Sequence, residues 1–153
     1  MSRVGAIGMV VSFIQSSKSQ AREKLTGPNI VLMVADDMGY GDFGLYSEGR
    51  VHTPALDELA TESLRFTQHY AGSAVCSPSR AALLTGRYPI RTGAITPQEV
   101  LGNDRIALDE VTIADSFKAA GYATGMVGKW HNGALDPRFH PNARGFDEFA
   151  GFR

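Results

Sequence analysis

The sequence predicts an α/β fold, a mostly parallel sheet flanked by helices, and three observations carry that prediction. An apolar run, Ile30-Val31-Leu32-Met33-Val34-Ala35, lacks polar alternation and suits a strand covered on both faces. Helical patterns with their own start and stop signals follow it and alternate with further strand-like stretches. Residues able to do chemistry fall just after predicted strands or at the mouth of a predicted helix, where such sheets gather their sites.

Taken in order, residues 1–21 read as an export signal. Met1-Ser2-Arg3 supplies a positive start, residues 4–14 are mostly apolar, and Ser17-Lys18-Ser19 or Ser19-Gln20-Ala21 offers small residues at cleavage spacing. The apolar stretch is too short for a stable membrane span. A frayed amphipathic leader or a misplaced start codon is the plainer alternative. Residues 22–153 form the domain, opening on a polar approach and then the apolar run. A buried helix turn could look similar, but the run is short and stops at Asp36-Asp37.

Thr53 and Pro54 predict a helix start, with Leu56, Leu59 and Ala60 on one face and Asp57 and Glu58 near the favourable end. Leu64-Arg65-Phe66 is expected to return to the sheet. In Cys76-Ser77-Pro78-Ser79-Arg80, Ser77 suits an N-cap, Pro78 the first helical position, and Gly86 a C-terminal stop. That register leaves Cys76 just outside a positive helix end. It puts Arg80 in the first turn, where the dipole disfavours a cation, so an anion to be held explains it better than helix stability does. A loop rich in Gly, Pro and Thr covers about residues 88–105. A helix over 111–120 groups Ile113, Ala114, Phe117 and Ala120 and ends at Gly121, and residues 122–127 predict the next strand.

Composition narrows the partners. With 153 residues, 43% hydrophobic and net charge −1, the chain can bury a core and shows no polyanion-binding character. Its 15 basic residues are dispersed, without a Lys/Arg run interleaved with aromatics, so no nucleic-acid partner is expected. One cysteine excludes an intramolecular disulfide framework and a cysteine-based zinc cluster. The four histidines, His52, His69, His131 and His140, lack zincin spacing.

Adjacent carboxylates at Asp36 and Asp37 repel unless a cation lies between them, and oxygen donors of this kind suit calcium or magnesium; a solvated turn before Gly39 and Gly41 is the alternative. Cys76 reads as a buried small hydrophobe or as a thiolate activated by the helix end. A tyrosine-phosphatase loop needs Cys-x5-Arg, and position 82 is Ala82. Lys129 and His131 alone would be an exposed lysine and a satisfied histidine.

Asp36-Asp37, Cys76-x-Pro78-x-Arg80 running on to Thr85-Gly86-Arg87, and Gly128-Lys129-Trp130-His131 together resemble the sulfatase family, over about residues 28–153. The resemblance implies an alkaline-phosphatase-like α/β sandwich, truncated here, and a sulfuric ester hydrolase acting on sulfate monoesters. It implies that a formylglycine-generating enzyme oxidises Cys76 to formylglycine, whose hydrate has one hydroxyl to attack sulfur and a second whose lost proton ejects sulfate. Asp36, Asp37 and the modified position 76 become calcium ligands, joined by a downstream Asp-Asn pair not found before Arg153. Arg80 orients the hydrate, Lys129 binds a sulfate oxygen and His131 acts as base.

Trp130 is expected to pack rather than touch substrate. His69 and Tyr70 are candidates for the entrance, His52 and His140 have no assigned role, and Gly145-Phe146-Asp147-Glu148-Phe149 is expected to pack on the sheet. Asn132 stands where many relatives carry an apolar residue. The implied location is exported: periplasmic, extracellular or lysosomal. A phosphonate or phosphate monoester hydrolase of the same superfamily is the nearest alternative. A non-catalytic fragment with unmodified Cys76 is another.

Overall fold

The computed structural model describes residues 27–98, 102–133 and 135–152; the expected export signal lies outside them. Helix α1 spans Pro54–Glu62, α2 Cys76–Thr85, α3 Pro89–Thr92 and α4 Ile113–Ala119; strand β1 is Gly125–Lys129 and β2 Glu148–Phe152. Single 3₁₀ turns lie at Tyr40–Asp42, Gly44–Tyr46, Pro137–Phe139 and Pro141–Ala143. Among the described residues, no helix is long and apolar enough to cross a membrane.

β1 and β2 pair in parallel, from Gly125 opposite Glu148 to Lys129 opposite Phe152. A parallel pair needs a long crossover, and residues 130–147 provide it. The strands meet closely at Gly151, where an added Cβ would sit 1.9 Å from the Gly128 carbonyl oxygen. Gly128 has φ +116°, which L side chains rarely adopt.

Ala81 and Leu84 of α2, Ala94, Ile106 and Trp130 form the core, with Met126, Phe146 and Phe149 packed against it. Trp130 is fully buried, donates its indole N–H to the Phe139 carbonyl at 2.8 Å, and meets Phe146 edge-on. It packs, as expected. Arg144, also buried, donates to the carbonyls of Ala107 at 3.0 Å and Glu110 at 2.8 Å, fastening the crossover to the segment before α4.

The apolar run at 30–35 and Leu64-Arg65-Phe66, both expected as strands, form none. Ile30, Leu32 and Val34 alternate along a groove whose opposite wall is β1, so the run has a strand's spacing without its ladder. Val31 is 80% exposed, and nothing among the described residues covers its outer face. The strand expected over 122–127 begins at Gly125, because the Thr124 amide and hydroxyl are engaged by the Asp147 carboxylate. The segment expected to pack on the sheet joins it: β2 begins at Glu148. The loop after α2 contains α3, which opens on Pro89 as first helical residue.

α4 starts on a capping box, Thr112 and Asp115 each accepting the other's backbone N–H at 3.1 and 2.9 Å. Thr53 precedes α1 as expected, but its hydroxyl accepts from the Gly44 amide and donates to Asp57 instead of capping.

Candidate active site

Helix α2 sets the geometry, and its register differs from the sequence expectation. Cys76 is the first helical residue, Val75 is the N-cap, and the Ser79 amide donates to the Val75 carbonyl at 3.0 Å. Ser77 does not cap, because its hydroxyl turns inward and donates to the Asp104 carbonyl. Pro78 becomes the third helical residue, tolerated because the first four amides of a helix have no partner in it. Gly86 closes the helix in the left-handed region at φ +67°, as expected.

Arg80 therefore stands one turn above Cys76 on the same helix face, just past the first turn rather than inside it. Its guanidinium reaches two segments distant in sequence. Nη2 lies 3.1 Å from Asp36 Oδ1, and Nη1 donates to the Lys129 carbonyl at 2.6 Å. Its ion-pair partner is thus the Asp36 carboxylate. Lys129 Nζ approaches the other oxygen of that carboxylate more loosely, at 3.6 Å.

Two cations on one carboxylate leave a local surplus of positive charge beside a helix N-terminus. Desolvation works to raise the Asp36 pKa, but the charges of Arg80 and then Lys129, with their hydrogen bonds, outweigh it and hold the carboxyl below its ordinary value. The side chains of Arg80 and Lys129 are 17% and 24% exposed, while that of Asp36 keeps 48% of its surface open. These three charges line one part of a groove of about 480 Å³, whose apolar lining includes Leu32, Val34, Leu83 and Met126.

Asp36, Arg80 and Lys129 are thus gathered by direct contacts. Asp37 follows Asp36 with φ +57°, a left-handed conformation that aspartate tolerates better than most residues. Cys76 is a free, half-buried thiol. His131 has φ +53°, and its Nε2 lies 3.0 Å from the Pro97 carbonyl oxygen. Among the described residues, no three His, Cys, Asp or Glu side chains gather into a ready metal-ligand set, so Asp36, Asp37 and Cys76 do not form one in this structure.

The other candidates sit apart. Tyr70 is exposed with its hydroxyl on Gln68, and His69 tilts against Phe66. His140 packs edge-on to Phe149 and accepts from the Asn142 amide, a structural post. Asn132 is fully buried and donates to the Trp130 carbonyl at 3.1 Å. Sequence reasoning missed the carbonyls of Pro97 and Asp104, which hold His131 and Ser77. Backbone carbonyls carry no residue signature, so no signal could have found them.

The family model for Sulfatase matches residues 28–153. N-acetylgalactosamine-6-sulfatase of Sus scrofa is 50% identical over 134 residues, 81% of this chain and 25% of that protein. Arylsulfatase G of Canis lupus familiaris is 41% identical over 148 residues, 97% of this chain and 27% of its own length. The crystal structure of Ps i-CgsB superposes with a TM-score of 0.75 at 43% identity, covering 82% of this chain and 28% of that one. BT4656, solved with its substrate D-glucosamine-2-N,6-O-disulfate, superposes at 0.66 with 33% identity, covering 80% and 22%. The chain spans about a quarter of the length of the curated relatives it matches. A family match over residues 28–153, the three motifs in order and the charged cluster they build agree: the chain belongs to the sulfatase family.

Proposed function

We propose that this chain is the N-terminal part of a sulfatase catalytic domain that hydrolyses sulfate monoesters through formylglycine made from Cys76, with a calcium ion held in part by Asp36 and Asp37. The observation that carries the reading is Arg80, which joins the carboxylate after the apolar run to the end of β1.

The donors suit the ion. Asp36 and Asp37 offer hard oxygens, and the open half of Asp36 leaves room for a cation beside Arg80. Calcium takes about six to eight oxygen ligands, so residues outside the described set must complete the shell. Magnesium suits the same donors. The ion supplies Lewis-acid stabilisation of charge on the sulfuryl oxygens, and a hydrated formylglycine supplies the attacking hydroxyl and the second hydroxyl that permits sulfate release.

The chain's own residues do the rest. Arg80 fixes the Asp36 carboxylate and stands one turn above position 76, where its charge favours developing anions. Lys129 is the more loosely held cation and is the one free to turn onto a sulfate oxygen. His131 takes a proton from the hydroxyl at position 76. The partners are then a sulfate ester and a formylglycine-generating enzyme, and the location is an exported one.

Mass spectrometry of the peptide from Ala71 to Arg87 tests the reading after expression with a competent modifying enzyme. Conversion of the thiol to an aldehyde supports it. An untouched thiol overturns it in favour of a non-catalytic fragment. Aryl sulfate turned over faster than aryl phosphate by the full-length protein supports a sulfatase, and the reverse order selects a phosphate or phosphonate monoester hydrolase. The 153 residues alone are expected to show weak or no turnover.

A further inference from the structure

Building on the sulfatase reading, we propose that Ser77 is the positioning residue for the reacting group at position 76. Its buried hydroxyl, donated to the Asp104 carbonyl, selects the helix register that sets position 76 on the Arg80 face of α2. Two starts compete for this segment. Local chemistry favours the later one, with Ser77 extended as N-cap and Pro78 as first helical residue. The structure takes the earlier one, with Cys76 first and Val75 as N-cap.

The earlier start is locally unfavourable. The Val75 side chain has no oxygen to cap with, and the helix start has no side-chain cap bond. Ser77 becomes helical immediately before Pro78, where the proline ring disfavours the α region. A tertiary contact must offset both, and Ser77 supplies it. The residue is fully buried, and its partner carbonyl belongs to Asp104, which is 1% exposed. The segment around Asp104 is braced. The amides of Ile95 and Thr96 both donate to the Asn103 carbonyl, at 2.7 and 3.0 Å, and the Ala107 amide donates to the Thr92 carbonyl at 2.7 Å.

The choice of start decides what position 76 faces. In the earlier register, residues 76 and 80 are four apart on one helix, so their side chains share a face. Arg80 is the residue held to Asp36 and to the Lys129 carbonyl. In the later register, residue 76 lies outside the helix and that alignment is lost.

Cys76 and Trp130 are the only cysteine and tryptophan of the 153-residue chain, so each gives one assigned NMR signal when labelled. The Cys76 ¹³Cα shift reads its backbone as helical or extended, and the Trp130 indole N–H reads the fold. Ser77→Ala is expected to move the Cys76 shift from the helical toward the extended range. Val75 is 44% exposed, and Val75→Thr gives it a capping hydroxyl with little change of shape. Adding Val75→Thr to Ser77→Ala is expected to return the helical shift, a repair that loss of packing alone would not show. A Cys76 shift that stays helical in Ser77→Ala overturns the proposal. So does a double variant that fails to regain it, including where Ser77→Ala alone loses the Trp130 signal. In the full-length enzyme, aryl sulfate kcat per aldehyde at position 76 is expected to fall about tenfold or more in Ser77→Ala, with KM changed less, and to recover in the double variant. An unchanged kcat overturns the proposal. An active parent enzyme whose Cys76 shift ignores Ser77→Ala sinks the positioning role alone, and an inactive parent with the expected shifts sinks the sulfatase reading alone.

Discussion

The two walls of the charged groove differ in how they are held. One wall, α2 and β1, is built on the core: Ala81 and Leu84 are buried beneath Arg80, and Trp130 is fully buried beside Lys129. The other is residues 30–36, an apolar run with most of its surface open and no strand ladder. The site residues are thus two cations on a packed wall and a carboxylate on an uncovered one. Ion pairs from Arg80 and Lys129 to Asp36 bridge them. Packing places the cations, and electrostatics places the acid.

Removing the bridge should have the largest effect. Arg80→Ala in the full-length protein is expected to lower aryl sulfate kcat by about 10²–10³-fold, with Arg80→Lys recovering little, because a point charge cannot reach both Asp36 and the Lys129 carbonyl. Full activity in Arg80→Lys would show that charge alone suffices. The two walls separate next in stability. Trp130→Ala removes a fully buried ring and is expected to cost about 3–5 kcal/mol in denaturant unfolding, whereas Val31→Thr on the open wall should change stability by about 0.5 kcal/mol or less. Comparable losses would mean that residues 30–34 are covered in solution.

Gly151→Ala drives a methyl group into the Gly128 carbonyl and should cost about 1–3 kcal/mol, read as a lower denaturant midpoint. The smallest effect is on the acid limb. Asp147, hydrogen-bonded to Lys118 and to the Thr124 amide, has its pKa lowered to about 2 in the folded chain. A depressed carboxyl contributes stability that is complete above its unfolded pKa of about 3.9 and is lost as pH falls through 2. Asp147→Asn should flatten the stability profile over that window, lowering stability at pH 7 and leaving it little changed at the acid end.

What the sequence revealed follows the same division. Local chemistry was legible in part: Pro54 opens a helix and Gly86 ends another, while the helix at Pro89 and the Thr112–Asp115 cap went unread. The start of α2 was misplaced by two residues, because Ser77 is a good cap in isolation and its diversion to the Asp104 carbonyl is a tertiary event. Residues 30–35 read as a covered strand because their composition is that of one, yet a ladder needs a partner that no local pattern specifies. Asp36 and Arg80 were legible because their charges require company, whereas Lys129 was picked out only through the motif resemblance. Pro97 was not, since its contribution to His131 is a main-chain oxygen.

The Arg80 link to the Lys129 carbonyl closes a separation of 49 residues, and the link to Asp36 ties in the run before α1. Disordered chains keep these groups far apart, so the positive pocket comes into being only when the polypeptide collapses into its final form. On the proposed sulfatase reading, a tetrahedral oxyanion lodged there would, by mass action, raise the melting temperature roughly with the logarithm of its concentration. Inorganic sulfate would in that way protect its own receptor against heat.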